Sequence, residues 1–149
     1  MYERKDKWTV GYWMTPNPTT VSSDTLARTA FLVMRTEGFR HLPVVDDGKL
    51  VGVVTDRDLR RPDLSTEPEG WLEYYNLDSG FEVGDVMTTN PITVTPSDRI
   101  EKALKSFVSH KFGALPVLDK KGAVIGVIST LDMMKAFSEV MDLAASHLK

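Results

Sequence analysis

Two short stretches of the chain place a hydroxyl and a carboxylate three residues apart, directly after apolar runs. Thr55 is followed by Asp58, and Ser129 is followed by Asp132. Such a pair can close a capping box at a helix start, where the hydroxyl and the acid each accept a backbone N–H. The same carboxylate can accept both hydroxyls of a ribose, and the helix start offers N–H groups to phosphate oxygens. The residues alone leave both interpretations open.

The two pairs belong to an internal repeat. The segment VGYWMTPNPTTV at 10–21 aligns with VGDVMTTNPITV at 83–94, and FRHLPV aligns with FGALPV, both at a shift of 73. After one extra turn residue, GVVTDRD aligns with GVISTLD at a shift of 74. The chain therefore divides into an N-terminal extension, a first repeat, a linker, a second repeat and the end of a C-terminal helix, at 1–9, 10–61, 62–82, 83–140 and 141–149.

Each copy is predicted to form a βαββα unit. A short extended segment follows Asn-Pro, because proline disfavours helical backbone in the residue before it. An amphipathic helix follows, with apolar residues at helical spacing, and Gly38 is a plausible helix stop after the first one. Two apolar runs joined by a glycine-bearing turn then predict a hairpin, and a last helix begins after the hydroxyl residue. The predicted helices span 24–37 and 97–110.

One such unit is too small to bury a stable core by itself. We therefore expect an α+β fold in which the two repeats pack sheet to sheet about a pseudo-two-fold axis, leaving a cleft along the seam. In the linker, 60–70 is predicted to be a loop because proline and glycine interrupt it. The aromatic segment 71–77 is expected to form a short helix that covers the core.

The order of these motifs resembles the CBS domain, named after cystathionine β-synthase. The shared pattern is Met-Thr-x-Asn-Pro-x-Thr-Val, an amphipathic helix, Leu-Pro-Val and then Gly-Val-(Val/Ile)-(Thr/Ser)-x-x-Asp, and it occurs twice in register. The resemblance identifies the chain as a stand-alone pair of CBS domains, or Bateman module. Proteins of this kind bind AMP, ADP, ATP, S-adenosyl or NAD-type ligands, pair into flat dimers and regulate a linked or separate protein.

The resemblance assigns the ribose to Asp58 and Asp132. Adenine would lie in an apolar slot beside Leu-Pro, where proline stiffens the wall and removes a donor. The alternative is that these wall residues are ordinary core. The nucleotide-binding residues expected in the first copy are Thr20, Val21, Arg40, His41, Leu42, Pro43, Thr55, Arg57 and Asp58; in the second copy they are Thr93, Val94, Ala114, Leu115, Pro116, Ser129 and Asp132.

The two copies differ in the charge available for phosphates. Arg40 and His41 precede Leu-Pro in the first copy, where similar proteins place basic phosphate contacts. The second copy has Gly113 and Ala114 there, with Lys111 nearby. The second cleft is therefore expected to be empty or to take a ligand with less phosphate charge.

Composition narrows the function classes. The net charge of −3 speaks against a nucleic-acid partner, and the lack of cysteine excludes thiol chemistry and cysteine-ligated metals within these residues. Phosphate-loop, dinucleotide-fold, metalloprotease and serine-hydrolase motifs are all absent from the sequence, so no catalysis, no required cofactor and no metal site are expected. No apolar stretch suits a secretory signal or a membrane span, so the cytoplasm is the expected location.

These observations predict a regulatory adenine-nucleotide sensor that forms a homodimer and acts on a separate partner protein. Two alternatives remain. The module could be a ligand-free interaction or dimerisation unit, or it could sense an S-adenosyl or NAD-type ligand. The response of Asp58 and Asp132 to nucleotide separates the first alternative from the prediction.

Overall fold

A computed structural model of the chain describes residues 6–60, 80–110 and 112–148, apart from the side chain of Arg60. Most of the predicted linker, including the predicted helix at 71–77, lies outside the described residues, as does Lys111. The described helices are α1 Val10–Trp13, α2 Ala27–Glu37, α3 Asp56–Arg60, α4 Val83–Val86, α5 Ile100–His110 and α6 Thr130–His147. The described strands are β1 Thr15–Pro16, β2 His41–Asp46, β3 Lys49–Thr55, β4 Thr88–Thr89, β5 Ala114–Leu118 and β6 Val124–Ser129.

One compact unit comprises Thr19–Pro91. Its antiparallel sheet has the order β2-β3-β4, and Leu42 pairs with Val54 in the β2–β3 ladder. Alternation along these strands turns Leu42, Val44 and Val54 inward, where each is fully buried. Helix α2 adds Ala30, Phe31 and Met34 to this core, which also takes Leu59 from α3 and Val83 from α4. Burial of a side chain the size of leucine contributes about 1.5–3 kcal/mol, so this core fixes where the ends of β2 and β3 lie.

The other compact unit combines Met1–Pro18 with Ile92–Lys149. Its antiparallel sheet has the order β1-β6-β5, and Leu115 pairs with Ile128 in the β5–β6 ladder. The residues that form its core come from both parts of the chain: Val10, Met14, Val94, Ile100, Ala103, Phe107, Leu115, Val117, Ile128, Met133 and Ala136. As in the first sheet, alternation along β5 and β6 turns Leu115, Val117 and Ile128 inward.

The compact units are offset from the sequence repeats. The start of the first repeat, α1 and β1, packs with the second repeat, where Thr15 pairs with Val127. Reciprocally, α4 and β4 from the start of the second repeat pack with the first, where Thr88 pairs with Val53. The four-residue helices α1 and α4 and the two-residue strands β1 and β4 were not predicted from the sequence.

The α+β class and the main elements of each βαββα copy are confirmed, with later helix starts than predicted. Helix α2 begins at Ala27 and α5 at Ile100. Helix α2 ends at Glu37 and is capped by Gly38, which has a left-handed φ of 78°. The β2–β3 turn places Asp47 and Gly48 at φ values of 50° and 77°, which suits a tight hairpin turn. The extended segment of each copy forms a single parallel bridge, Val21 to Val44 and Val94 to Val117.

Within the described part of the chain, none of the helices has both the length and the apolar character required to span a bilayer.

Candidate nucleotide-binding sites

Each set of residues expected to bind nucleotide falls within one compact unit. The nine residues of the first copy all lie in Thr19–Pro91, and the seven of the second copy all lie in Ile92–Lys149. We name them the Asp58 site and the Asp132 site after the carboxylate that each contains. Each site combines the strand-to-helix junction, the start of the neighbouring strand and the extended segment bridged to that strand.

The Asp58 site is organised by a capping box where β3 meets α3. The backbone N–H of Thr55 donates to Oδ2 of Asp58 at 3.0 Å, and the backbone N–H of Asp58 donates to Oγ1 of Thr55 at 3.1 Å. Thr55 also pairs with His41 across the β2–β3 ladder, and the N–H of Asp56 donates to the carbonyl of Arg40 at 3.0 Å. The capping interpretation of this motif is confirmed.

The Asp132 site repeats this arrangement where β6 meets α6. Oδ2 of Asp132 accepts the backbone N–H of Ser129 at 2.8 Å and the Ser129 hydroxyl at 3.0 Å, and Oγ of Ser129 accepts the N–H of Asp132 at 3.2 Å. Asp132 is only 8% exposed and is the sole buried charged residue in the ranges that the structure describes. Such burial requires hydrogen bonds, and the box supplies them.

The capping bonds engage the same oxygen in both sites. Every capping bond that the carboxylate accepts reaches Oδ2 of Asp58 or Asp132, which leaves Oδ1 outside the box. A carboxylate has about four lone-pair positions, so a capping acid retains acceptor capacity for further donors. The cap and a diol ligand are therefore chemically compatible at one carboxylate.

The expected adenine wall divides into buried core residues and residues with exposed surface. Leu42 and Leu115 are 0% and 1% exposed, and Val94 is 2% exposed, so these side chains are core in the unit that holds them. Pro43 and Pro116 are buried as well, whereas Thr20 is exposed and Val21 and Thr93 are half-buried.

Backbone hydrogen bonds hold this wall together. The N–H of Val21 donates to the carbonyl of Pro43, and the N–H of Val94 donates to the carbonyl of Pro116, both at 3.1 Å. The core alternative thus holds for the buried side chains named above. The wall residues with exposed surface for a purine are Thr20, Val21 and Thr93.

The Asp58 site contains basic side chains, whereas the corresponding positions of the Asp132 site carry uncharged residues. In the Asp58 site Arg40 and Arg57 are exposed and His41 is half-buried. Burial lowers the pKa of His41, with Arg40 acting in the same direction, while Asp56 and Asp58 oppose it. In the Asp132 site the corresponding carbonyl of Gly113 accepts the N–H of Thr130 at 3.0 Å, and Ala114 pairs with Ser129.

Because its folded pKa lies below 6.5, His41 should make stability fall as the solution is acidified. Below pH of about 6.5 the unfolded chain binds a proton at this imidazole that the folded chain takes up only at lower pH. The stabilisation is complete above that pH and is lost as the pH falls toward the folded pKa. Urea unfolding of the wild type and of His41→Ala at pH 7.5 and 5.5 measures this. The variant should lose less stability on acidification, and equal losses would contradict the assignment.

Sequence reasoning missed the pair that fixes the extended segment of the Asp58 site. Asp46 accepts the hydroxyl of Ser23 at 2.6 Å and its backbone N–H at 3.0 Å, and these bonds lower the pKa of Asp46. The pair ties the segment after Val21 to the end of β2. The aligned position in the second copy is Pro96, which cannot donate, so comparing the repeats would have revealed a difference but not its partner.

Comparison with known proteins gives a consistent result. The CBS domain model matches residues 10–64 and 83–139. A CBS domain-containing protein of Dictyostelium discoideum is 35% identical over 128 residues, covering 83% of this chain and 86% of that protein. The chloroplastic CBS domain-containing protein CBSX2 of Arabidopsis thaliana is 32% identical over 154 residues, covering 89% of this chain and 65% of that protein.

Solved structures and enzymes extend the comparison. The crystal structure of CBSX2 in complex with AMP matches with a TM-score of 0.74 and 34% identity, over 90% of this chain and 98% of that one. Inosine-5'-monophosphate dehydrogenase of Korarchaeum cryptofilum is 33% identical over 114 residues. The match covers 76% of this chain but only 21% of that enzyme. With two matches to the family model across most of its length, the chain belongs to the CBS domain family, as a tandem pair of domains.

Proposed function

We propose that this protein is a non-catalytic regulatory module that binds an adenine nucleotide (AMP, ADP or ATP) through the sites at Asp58 and Asp132. One observation carries the proposal: the same hydroxyl–carboxylate box occurs at the same strand-to-helix junction in both units, with Oδ1 of the acid outside the capping bonds. The AMP complex of CBSX2, at 34% identity, supports adenine nucleotide as the ligand class.

The proposed roles follow from the chemistry of each group. The carboxylate accepts the two ribose hydroxyls, and hydrogen bonds to a charged acceptor contribute about 1.5–3 kcal/mol each. Arg40, with His41 and Arg57, contacts the phosphates of a ligand in the Asp58 site, since charge-assisted bonds to phosphate oxygens are the strong ones. Thr20 and Val21 in the Asp58 site, and Thr93 in the Asp132 site, contact the adenine, since these wall residues have exposed surface.

In this proposal the ligand regulates a separate partner protein, and the module itself catalyses no reaction. A ligand shifts an equilibrium between two arrangements only by its differential affinity for them, so the regulated state must bind nucleotide more or less tightly than the other. A cytoplasmic location stays a prediction, and the Arabidopsis relative is described as chloroplastic.

A thermal-shift panel of AMP, ADP, ATP, S-adenosylmethionine, NAD and GTP tests the ligand class. A ligand at a hundred times its dissociation constant adds about 2.7 kcal/mol, which raises the unfolding midpoint by roughly 5–10 °C for a chain of this size. At least one of AMP, ADP and ATP should give this shift and GTP should not. A flat response to all six would favour the ligand-free interaction module instead.

We further propose that α6 mediates the expected homodimer. Its exposed apolar residues recur at near-helical spacing, with Leu131, Met134, Phe137 and Met141 exposed by 58%, 69%, 63% and 56%. Contiguous exposed apolar surface of this kind marks an interaction site, and a second copy would present the same stripe.

Sedimentation velocity tests this interface with the double variant Met134→Lys/Phe137→Lys. The wild type should sediment as a dimer and the variant as a folded monomer. Dimerisation of the variant would bury the charges of both introduced lysines of each chain in an apolar interface, which is unfavourable. Leu32→Lys on α2, at a similarly exposed position, serves as the control and should remain dimeric. A monomeric wild type or a dimeric double variant would contradict the assignment.

A further inference from the structure

The two sites offer a direct comparison of charge because hydrogen bonds establish which positions correspond. The carbonyl of Arg40 accepts the N–H of Asp56, as the carbonyl of Gly113 accepts that of Thr130, both at 3.0 Å. Next along the chain, His41 pairs with Thr55 as Ala114 pairs with Ser129. One residue before the carboxylate, Arg57 corresponds to Leu131. Three side chains able to contact an anion are thus replaced by glycine, alanine and leucine.

The replaced positions give the Asp132 site a more negative net charge than the Asp58 site. The Asp58 site contains two arginines and two carboxylates, Asp56 and Asp58, which sum to zero, and Asp56, Arg40 and Asp58 all influence the pKa of His41. At the corresponding positions of the Asp132 site, which are 113, 114 and 129–132, the only charged side chain is Asp132. A phosphate dianion would meet compensating cations in the first case and a like charge in the second.

Burial strengthens this contrast. Asp132 is 8% exposed, whereas Asp58 is half-buried, and charges in a less solvated site interact more strongly. Leu131, one residue before Asp132, carries no charge where Arg57 carries a cation. The hydrogen bonds of a neutral ribose diol to Asp132 carry no such repulsion.

We propose that the two sites bind ligands of different charge, an inference that rests on the proposed function. The Asp58 site binds an adenine nucleotide through its phosphate, and the Asp132 site binds an adenosine-type ligand that has no phosphate. Both sites would then recognise the ribose and adenine of a ligand in the same way. They would differ in the group that they accept at the 5' position, so the module would respond to two classes of metabolite.

Calorimetric titration with AMP and with adenosine, which differ only in the phosphate, tests the proposal on the full chain. Asp58→Asn and Asp132→Asn report which site is filled, since asparagine retains a capping oxygen and removes the charge. AMP should bind at one site per chain, with binding lost in Asp58→Asn and retained in Asp132→Asn. Adenosine binding should be lost in Asp132→Asn.

Exchanging the distinguishing residues gives the matched test. Arg40→Gly with His41→Ala should weaken AMP binding at least tenfold and leave adenosine binding at Asp132 unchanged. Gly113→Arg with Ala114→His should create AMP binding that survives Asp58→Asn. The unfolding midpoint of each variant, measured without ligand, shows whether the variant is folded. The variant Lys111→Ala tests whether Lys111, which lies outside the described residues, contributes to AMP binding.

The outcomes separate this inference from the proposed function. AMP filling both sites with similar affinity, or filling the Asp132 site through Lys111, would overturn the difference in ligand charge and leave adenine-nucleotide binding intact. Adenosine binding that is unaffected by Asp132→Asn would also overturn it. Failure of both AMP and adenosine to bind the wild type would overturn the proposed function together with this inference.

Discussion

Replacing Asp58 by alanine should weaken AMP binding by about 100-fold or more. The substitution removes a charged acceptor from both ribose hydroxyls, and two such bonds at about 1.5 kcal/mol each correspond to roughly that factor. It also removes the acid of the Thr55 capping box, which should lower the free energy of unfolding by about 1 kcal/mol. Isothermal titration calorimetry measures the first effect and urea unfolding the second.

The chain contains a matched control for the capping contribution. Asp85 closes a capping box with Glu82 in the same compact unit, and its Oδ2 accepts the N–H of Glu82 at 2.9 Å. Asp85→Ala should therefore lose a similar amount of stability and retain AMP affinity. If Asp58→Ala and Asp85→Ala bind AMP equally well, Asp58 is only a structural cap and the ribose assignment is wrong.

Gly52→Ala should destabilise the protein by about 3 kcal/mol. A β-carbon on Gly52 would lie 2.7 Å from the backbone oxygen of Thr88 and 2.7 Å from Sδ of Met87, so β4 would have to move. Overpacking of this kind costs typically about 1–3 kcal/mol, and the cost is highest where the obstacle is backbone. Thermal unfolding should show a midpoint lowered by roughly 6–12 °C.

Two further glycines calibrate that result. At Gly126 the closest obstacle is the flexible side chain of Met14, with Sδ at 2.5 Å, and the oxygen of Thr15 is more distant at 3.1 Å, so Gly126→Ala should cost less than Gly52→Ala. Among the residues that the structure describes, none has an atom within 4 Å of a β-carbon added at Gly80, and Gly80→Ala should leave the midpoint nearly unchanged. A Gly52→Ala midpoint equal to that of Gly80→Ala would contradict the close packing of β4 on β3.

The sequence was sufficient for the elements whose signals are local. Gly38 and the Asp47-Gly48 turn take the left-handed backbone that their residue types favour, and the apolar alternation around Leu42 correctly indicated the inner face of β2. The capping boxes followed from the hydroxyl-x-x-Asp spacing alone. The capping spacing and the Leu-Pro-Val run each occur in both copies, so those predictions were made twice.

The structural features that depend on contacts between residues far apart in the chain could not be predicted from local sequence signals. Pairing of Thr15 with Val127 joins residues far apart in the chain, and two-residue strands have too short a pattern to recognise. The close approach of Met14 to Gly126 and of Met87 to Gly52 explains why a glycine stands in each central strand, but the sequence does not identify the partner. The Ser23–Asp46 bond was missed for the same reason.

Within the candidate sites, the sequence indicated which residue types are present but not how far each residue is buried. Leu42 and Leu115 were expected as possible ligand walls, but at 0% and 1% exposure both residues belong to the core. The charge difference between Arg40-His41 and Gly113-Ala114 was visible in the sequence. Its significance depends on the matching hydrogen bonds of the two junctions, which only the fold provides.

Titration of isotope-labelled protein with AMP, followed by the backbone amide resonances, tests ligand binding at these junctions most directly. The amides of His41 and of Thr55 through Asp58 should shift and saturate together, because the nucleotide would contact the groups that the capping box holds in place. Absence of any saturable change at these amides, or changes confined to residues elsewhere in the chain, would contradict the assignment of a nucleotide site to the Thr55–Asp58 junction.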